Sequence, residues 1–107
     1  MYLLIIYIFG VKLKFEWDEN KNLKNIENHK VSFEQAVSVF YDEAAVIFQD
    51  IEHSNDEDRF IIIGKSNFEQ VLFVCYCERG KDKFNEEVLR IISARKATDK
   101  ERRLFYE

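Results

Sequence analysis

Hydrophobic and polar residues alternate along several short segments of this chain, as they do in half-buried β-strands. In "VKLKFEW" (residues 11–17) every second residue is apolar, from Val11 to Trp17, and the residues between them are charged. Apolar runs rich in β-branched residues follow later in the chain. Together these patterns predict five strands, over residues 11–17, 44–52, 59–66, 69–78 and 88–96.

Helix spacing and helix-capping residues mark the segment between the first two strands. Asp18 is a suitable N-cap for a short helix over 18–30, in which Leu23 and Ile26 would form the apolar face. Ser32 has a glutamine three residues later, the spacing of a capping box, and begins a second helix. The core stripe of that helix follows the spacing i, i+3, i+4, i+7 and consists of Phe33, Ala36, Val37 and Phe40.

A third helix is predicted at the end of the chain. Thr98 and Glu101 form a second capping box, and Leu104 and Phe105 supply the apolar contacts of the helix that follows. Turns are expected over 53–58 and 67–68, and from Arg79-Gly80 onward through residues 81–87. The element order is then strand, two helices, a strand meander and a helix. It predicts an α+β fold, with an antiparallel sheet and its helices on one face.

The first nine residues, "MYLLIIYIF", are almost entirely apolar. A membrane-spanning helix needs about 20 such residues, and a signal peptide would have a positive start and a small-residue cleavage site. Three alternatives stay open: an extra strand, a disordered apolar tail, or upstream codons that are not normally translated.

Composition restricts the possible partners. The 107 residues include 20 acidic and 16 basic side chains, a net charge of −4, which argues against indiscriminate binding to nucleic acid. The positive charge is concentrated in "RIISARKATDKERRLFYE" (90–107), which carries six cations and three acids. A local basic patch of this kind can still bind phosphates.

No metal or cofactor motif is visible. Cys75 and Cys77 lie two residues apart in an apolar strand, and no second Cys or His pair completes a zinc site. They are typical of small apolar residues in the sheet of a protein from a reducing compartment. There is also no phosphate-binding glycine loop and no nucleophile elbow. An enzymatic mechanism would therefore use side chains alone.

Basic residues near the strand ends are the candidates for binding a phosphodiester. Arg90, Arg95 and Lys96 belong to the last strand, and Arg79 to the preceding turn. Guanidinium groups neutralise phosphate oxygens and stabilise the charge of a pentavalent transition state. On a regular strand, Arg90 would face the side opposite to Ser93 and Arg95. The alternative is that these cations only form ion pairs with the abundant acids.

Two further residues could transfer protons. His53 lies in a polar loop, and histidine is a residue type that can act as a general acid or base. Glu78 lies at a strand end and could act as a base. The simpler interpretations are a surface histidine and a glutamate that pairs with a nearby cation.

Several segments together resemble the BrnT family, toxins of bacterial type II toxin–antitoxin systems. The resemblance rests on "KFEWDENKNLKNIENHKVSFEQAVSVF" (14–40), "RFIIIGKS" (59–66), "ERG" (78–80) and "RIISARKATDKERR" (90–103), and covers about residues 13–107. It implies a RelE-like fold and a small cytoplasmic ribonuclease that blocks translation. Chains of this family typically begin near "KFEWDE", which implies that residues 1–12 are an extension and that 13–107 form one domain, with Val11 and Leu13 as hypothetical translation start sites. The implied chemistry is attack by the 2′-hydroxyl of the RNA on the adjacent phosphate, without metal or cofactor.

The resemblance also implies partners and a site. The partner would be a BrnA-like antitoxin with a ribbon-helix-helix portion, and operator DNA would be bound only through that antitoxin, with no role for a membrane. The implied site residues are Arg79, Arg90, Arg95 and Lys96, with Glu78 and His53 added as candidates. Two alternatives stay open: a catalytically inactive relative that only holds such a partner, and a structural protein.

Overall fold

A computed structural model describes residues 1–53 and 58–106, and this part of the chain contains six strands and three α-helices. The strands are β1 (Tyr2–Ile8), β2 (Val11–Trp17), β3 (Val46–Gln49), β4 (Arg59–Lys65), β5 (Val71–Lys81) and β6 (Glu87–Lys96). The helices are α1 (Glu19–His29), α2 (Phe33–Ser38) and α3 (Asp99–Tyr106). Single 3₁₀ turns follow α2 at Val39–Tyr41 and β3 at Ile51–His53. Of the predicted 53–58 loop, residues 54–57 lie outside the described residues.

The described strands form one sheet in the order β1-β2-β6-β5-β4-β3. All neighbours are antiparallel except β2 and β6, which are parallel, with Lys14 beside Val88 and Glu16 beside Arg90. The α+β class is confirmed, but the prediction of an antiparallel sheet is wrong because the sheet is mixed. The turn signals in a sequence predict antiparallel pairing only between strands that follow one another along the chain. The pairing of β2 with β6 crosses most of the chain, and such a long connection permits a parallel pair.

The two faces of the sheet carry different helices. One face packs on α1 and α2 and forms the main core, which includes Phe15, Trp17, Phe33, Ile62, Leu72, Val74 and Ile91. The opposite face, called the open face below, is covered at one end by α3, whose Phe105 packs against Ile61, Ile63 and Val71. The prediction that all helices share one face is therefore wrong. Phe105 is the contact expected of α3, whereas its neighbour Leu104 is exposed.

Two strand boundaries differ from the prediction. β3 is shorter than the predicted strand over 44–52, and β5 continues through Arg79 and Gly80, where a turn was expected. The turn comes later because the Asp82 side chain organises it: one carboxylate oxygen accepts hydrogen bonds from the backbone N–H groups of Phe84 and Glu86. This is the local use of aspartate that favours turns.

Residues 2–8 form the extra strand that was one of three alternatives for the apolar N-terminus. Phe9 and Gly10 connect β1 to β2 with φ angles of 50° and 81°, as a type I′ hairpin turn requires. Tyr2 stacks on Trp17 with ring centroids 4.6 Å apart. The hypothesis of a translation start at Val11 or Leu13 stays a prediction.

Helix α1 faces the core with its polar side. Its predicted apolar face is wrong: Leu23 is 57% exposed and Ile26 is 38% exposed, whereas Asn22 and Asn25 are buried. The Asn22 side chain accepts a hydrogen bond from the backbone N–H of Phe33 at 2.8 Å, which joins α1 to the start of α2. Buried amides are stable here because their hydrogen-bonding groups have partners.

Asn25 forms the link between α1 and the sheet. Its Nδ2 donates to the carbonyl oxygens of Val31 at 2.8 Å and Ala94 at 2.7 Å, and its Oδ1 accepts from the backbone N–H of Ala94 at 3.2 Å. Within the described chain, β2 pairs with β6 only as far as Arg90. The carboxamide therefore takes the place of a neighbouring strand for Ala94.

Replacing Asn25 with alanine is expected to lower the free energy of unfolding by about 2–4 kcal/mol, because it leaves buried backbone groups of Val31 and Ala94 without partners. Urea denaturation followed by circular dichroism measures this change. Asn28→Ala, on the exposed side of the same helix, is the matched control and should change stability by no more than about 0.5 kcal/mol. Equal stability of the two variants would contradict the role given to Asn25.

Candidate functional site

The open face carries a row of residues that crosses three neighbouring strands. Arg59 on β4 pairs with Cys77 on β5, and Cys77 pairs with Arg90 on β6. We call Arg59 and Arg90, with Cys77 between them, the arginine row. Because neighbouring strands lie about 4.8 Å apart, the Cα atoms of the two arginines are roughly 10 Å apart. Two guanidinium groups at this spacing can contact one phosphodiester from both sides.

A β-bulge in β6 decides which residues share the open face. Tyr76 pairs with Ile91 and Cys75 pairs with Ser93, so that Ile92 is skipped in the pairing. The extra residue shifts the alternation by one position. Ser93 and Arg95 consequently lie on the same face as Arg90, and the prediction that they lie on opposite faces is wrong.

Glu16 extends the row onto β2 and holds Arg90. The Arg90 Nε and Nη2 atoms donate to Glu16 Oε2 at 3.1 and 2.6 Å. The parallel pairing of β2 with β6 brings the two residues side by side. The contact fixes the direction of the guanidinium group, and it also gives that group a carboxylate partner that a phosphate would have to share or displace.

A histidine–aspartate pair lies at the β4 end of the row. The Nδ1 atom of His53 is 2.9 and 3.1 Å from the two carboxylate oxygens of Asp50. The backbone N–H of Asp50 donates to the carbonyl oxygen of Arg59 at 2.8 Å, which joins this 3₁₀ turn to the first residue of β4. His53 is exposed, and the aspartate orients its ring. The arrangement therefore offers an acid–base group beside the row.

Charged groups near the row act on the Cys75 thiol. Burial raises its pKa, the Arg59 guanidinium opposes that shift, and the Asp50 carboxylate adds to it. Arg79 lies two residues beyond Cys77 on β5, where the pairing with β6 becomes irregular between Glu78 and Lys81. Of the sequence-predicted residues, Arg90 thus belongs to the row itself, and His53 is attached to it through Asp50 and the backbone of Arg59.

Arg95 lies at the other end of the same face. Its Cα pairs with that of Phe73, six residues before Arg79 on β5, a separation of roughly 20 Å along the strand. The guanidinium lies 4.2 Å from the centroid of the Phe73 ring. Its two Nη atoms donate to Glu101 at 2.7 and 2.9 Å. Arg95 therefore attaches α3 to the sheet.

The structure separates Lys96 and Glu78 from the row. Lys96 pairs with Leu72 at the far end of β6 and lines a cavity beside α3 with Val71 and Arg102. Glu78 lines a small cavity with Leu13, Phe40 and Tyr76, on the helix side of the sheet. The sequence-predicted cluster is thus divided between two faces and two ends of the sheet.

Arg59, Glu16 and Asp50 are members of this site that the sequence prediction missed. Arg59 opens the strand "RFIIIGK", and its position two residues before a buried isoleucine places it on the same side as that residue. That alternation was visible, but only the register of β4 with β5 puts Arg59 beside Cys77. Glu16 belongs to the site only because β2 and β6 are parallel neighbours.

Within the described residues, no cluster of three or more His, Cys, Asp or Glu side chains could hold a metal ion. None of the described helices combines the length and apolar character needed to cross a bilayer.

Residues 17–101 match the family model described as "Ribonuclease toxin, BrnT, of type II toxin-antitoxin system". The chain belongs to the BrnT family. The matched segment contains Arg59 and all six residues that the sequence predicted for the site, and β1 lies outside it. Comparison with curated protein sequences finds no significant match.

Among solved structures, the chain is similar to the ribonuclease toxin BrnT of Brucella abortus, known at 1.1 Å resolution. The two are 25% identical and superpose with a TM-score of 0.57, over 79% of this chain and 96% of the Brucella chain. The fold of this family member is therefore that of a BrnT toxin.

The contact between Arg95 and Glu101 makes stability depend on pH. Hydrogen bonds from Arg95, and a weaker contribution from the backbone N–H of Thr98, hold the pKa of Glu101 below its usual value although burial opposes them. A lowered folded-state pKa stabilises the protein above the unfolded pKa, and this contribution is lost as the pH falls through the folded pKa. We expect Glu101→Gln to cost about 1 kcal/mol or less at pH 7, since Arg95 is partly exposed.

The measurement is urea unfolding of both proteins at a series of pH values. The difference between them should shrink as the pH falls below about 4. Glu27→Gln, at an exposed position on α1, is the control and should show no such trend. A difference that persists unchanged in acid would show that the ion pair is not its cause.

Proposed function

We propose that this BrnT family member is an endoribonuclease of the cytoplasm that needs no metal ion and blocks translation by cutting RNA. The observation that supports this best is the arginine row with the Asp50–His53 pair at its end. Cations that can bind a phosphate lie on a face of the sheet that α3 leaves partly open. The Asp50–His53 pair, which can transfer a proton, is attached to the backbone of Arg59. A RelE-like relationship of the fold belongs to the same proposal.

The proposed reaction uses the RNA as its own nucleophile. The 2′-hydroxyl gives up its proton and its oxygen forms a bond to the adjacent phosphorus. The bond from phosphorus to the 5′-oxygen then breaks, and that oxygen takes up a proton. The products are a 2′,3′-cyclic phosphate and a 5′-hydroxyl. No atom of the enzyme enters a covalent bond, so that positioning and charge stabilisation supply the catalysis.

Each side chain then has a role. Arg59 and Arg90 hold the non-bridging oxygens, whose negative charge increases in the pentavalent transition state. Arg79, two residues beyond Cys77 on β5, binds a neighbouring phosphate. His53 transfers the proton, and Asp50 orients its imidazole ring. Glu16 is a positioning residue that keeps the Arg90 guanidinium aligned before RNA arrives.

The partner in this proposal is a BrnA-like antitoxin whose ribbon-helix-helix portion binds the operator DNA. A type II system requires a protein antitoxin, and membership in the family supports such a partner. We place the neutralising contact over the arginine row, where acidic side chains would replace the RNA phosphates.

The competing candidate is a catalytically inactive relative that only binds the antitoxin. The observation in its favour is that two of the cations predicted for the site already form ion pairs with carboxylates, since Arg90 binds Glu16 and Arg95 binds Glu101. The two candidates differ in the effect of the protein alone. An active toxin stops growth when it is expressed without its antitoxin, and an inactive relative does not.

Arg59→Gln and Arg90→Gln are each expected to reduce RNA cleavage by at least about 100-fold, because each removes a cation from the transition state. Cleavage of a fluorescent RNA oligonucleotide by purified protein measures the rate. Lys100→Gln, an exposed cation on α3, is the matched control and should keep the wild-type rate. Full activity in both arginine variants, with their fold intact by circular dichroism, would exclude the row as the active site.

The chemistry has its own test. Cleavage should continue in excess EDTA and should stop at a single nucleotide whose 2′-hydroxyl is replaced by hydrogen. The RNA fragments should end in 2′,3′-cyclic phosphate and 5′-hydroxyl groups, which enzymatic end-labelling distinguishes from other ends. Cleavage at the 2′-deoxy position, or its loss in EDTA, would overturn the mechanism while leaving the ribonuclease activity established.

A further inference from the structure

The outer edge of β1 lacks the features that usually prevent a sheet edge from pairing with a further strand. Its sequence "YLLIIYI" contains no charge and no proline, and its pairing with β2 runs from Tyr2 to Ile8 without a bulge. In the described part of the chain β1 is the last strand on this side of the sheet. Edge strands in natural proteins are usually short, charged or bulged, because their free backbone groups pair readily with another strand.

The hairpin turn determines which backbone groups of β1 are free. In a two-residue type I′ hairpin the residues next to the turn, here Ile8 and Val11, form a hydrogen-bonded pair. Hydrogen-bonded positions recur at every second residue, so that the even-numbered residues of β1 bond to β2. The N–H and C=O groups of Leu3, Ile5 and Tyr7 consequently point outward along the free edge.

These three residues are arranged for pairing with a copy of themselves. If two β1 strands run antiparallel about a two-fold axis at Ile5, that residue faces its own copy and Leu3 faces Tyr7 of the second copy. Each of the three facing pairs exchanges two hydrogen bonds, which gives six across the junction. All free edge groups of the three residues are then used, as expected of a self-complementary two-fold interface.

The side chains and nearby charges also fit this arrangement. Leu3, Ile5 and Tyr7 point to the open face and are 55%, 44% and 63% exposed, so that pairing would bury apolar surface. The charged residues beside them on β2 are already compensated. Lys12 binds Glu86 at 2.7 Å and Lys14 binds Asp82 at 2.6 Å, while Glu16 binds Arg90. Two copies can therefore approach without bringing unpaired like charges together.

We propose that two copies of this chain form a dimer through antiparallel pairing of their β1 strands. The proposal does not depend on ribonuclease activity. It joins the two sheets into one continuous sheet, and the two-fold axis runs perpendicular to it. Both arginine rows then lie on the same side of the dimer. The opposite edge is less suited, because β3 has only four residues and includes the polar Gln49.

The first test is the molar mass of the full chain by sedimentation equilibrium. The wild-type protein should be a dimer, and Ile5→Lys should weaken dimerisation at least about tenfold by placing two like charges opposite each other. Ile47→Lys, at an exposed isoleucine on the other edge strand, is the matched control and should remain dimeric. A monomeric wild-type protein, or an Ile5→Lys variant that dimerises as tightly, would overturn the proposal.

The second test fixes the register and does not depend on weakening the interface. In a hydrogen-bonded pair the two Cα atoms are about 5.5 Å apart, within the range that a disulfide spans. Ile5→Cys should therefore form a cross-linked dimer under mild oxidation. Tyr7→Cys should not, because the two copies of residue 7 would be roughly 14 Å apart. The background from Cys75 and Cys77 is measured on the wild-type protein. Equal cross-linking of the two variants above this background would contradict the two-fold axis at Ile5. Cross-linking of Ile5→Cys only to other proteins in a cell extract would overturn the dimer and indicate a different partner.

Discussion

The contact between the Asn25 carboxamide and the backbone of Ala94 supports most of what is distinctive in this fold. A side-chain amide offers N–H donors and a carbonyl acceptor, as peptide groups do, and can therefore complete the edge of a strand that has no neighbouring strand at that point. It engages β6 two residues beyond the bulge. The same contact thus attaches α1 to the sheet and fixes the alternation of side chains in β6 after the bulge. Ser93 and Arg95 share the open face with Arg90 because that phase is held.

The local elements could be predicted from the sequence because their causes are local. The caps at Asp18, Ser32 and Thr98 act on backbone groups within three residues, and all three form the expected hydrogen bonds. Hydrophobicity could not predict which side of α1 faces the core. Its buried asparagines are stable only through partners on α2 and β6, so that the polar face becomes the inner one.

The site was harder to predict than the fold because it depends on register. Arg79 and Arg90 were identified as phosphate-binding candidates from their charge, but charge alone also selected Arg95 and Lys96. A single unpaired residue, Ile92, exchanges the faces of everything after it in β6. The sequence contains no local signal for that bulge. Nor does it show that Glu16 and Arg90 are neighbours, because their contact joins the two ends of the chain.

The parallel pairing of β2 with β6 also has a consequence for synthesis. A ribosome releases the N-terminal hairpin early, and β1 and β2 can pair with each other at once because their turn is short. The other edge of β2 has no partner until residues 88–90 have left the exit tunnel. Asn25 of α1 cannot contact the sheet before then either, since its partner Ala94 is made after Arg90. Glu16 and Arg90 therefore meet only after residue 90 has emerged, so that a chain interrupted before that point cannot assemble the arginine row.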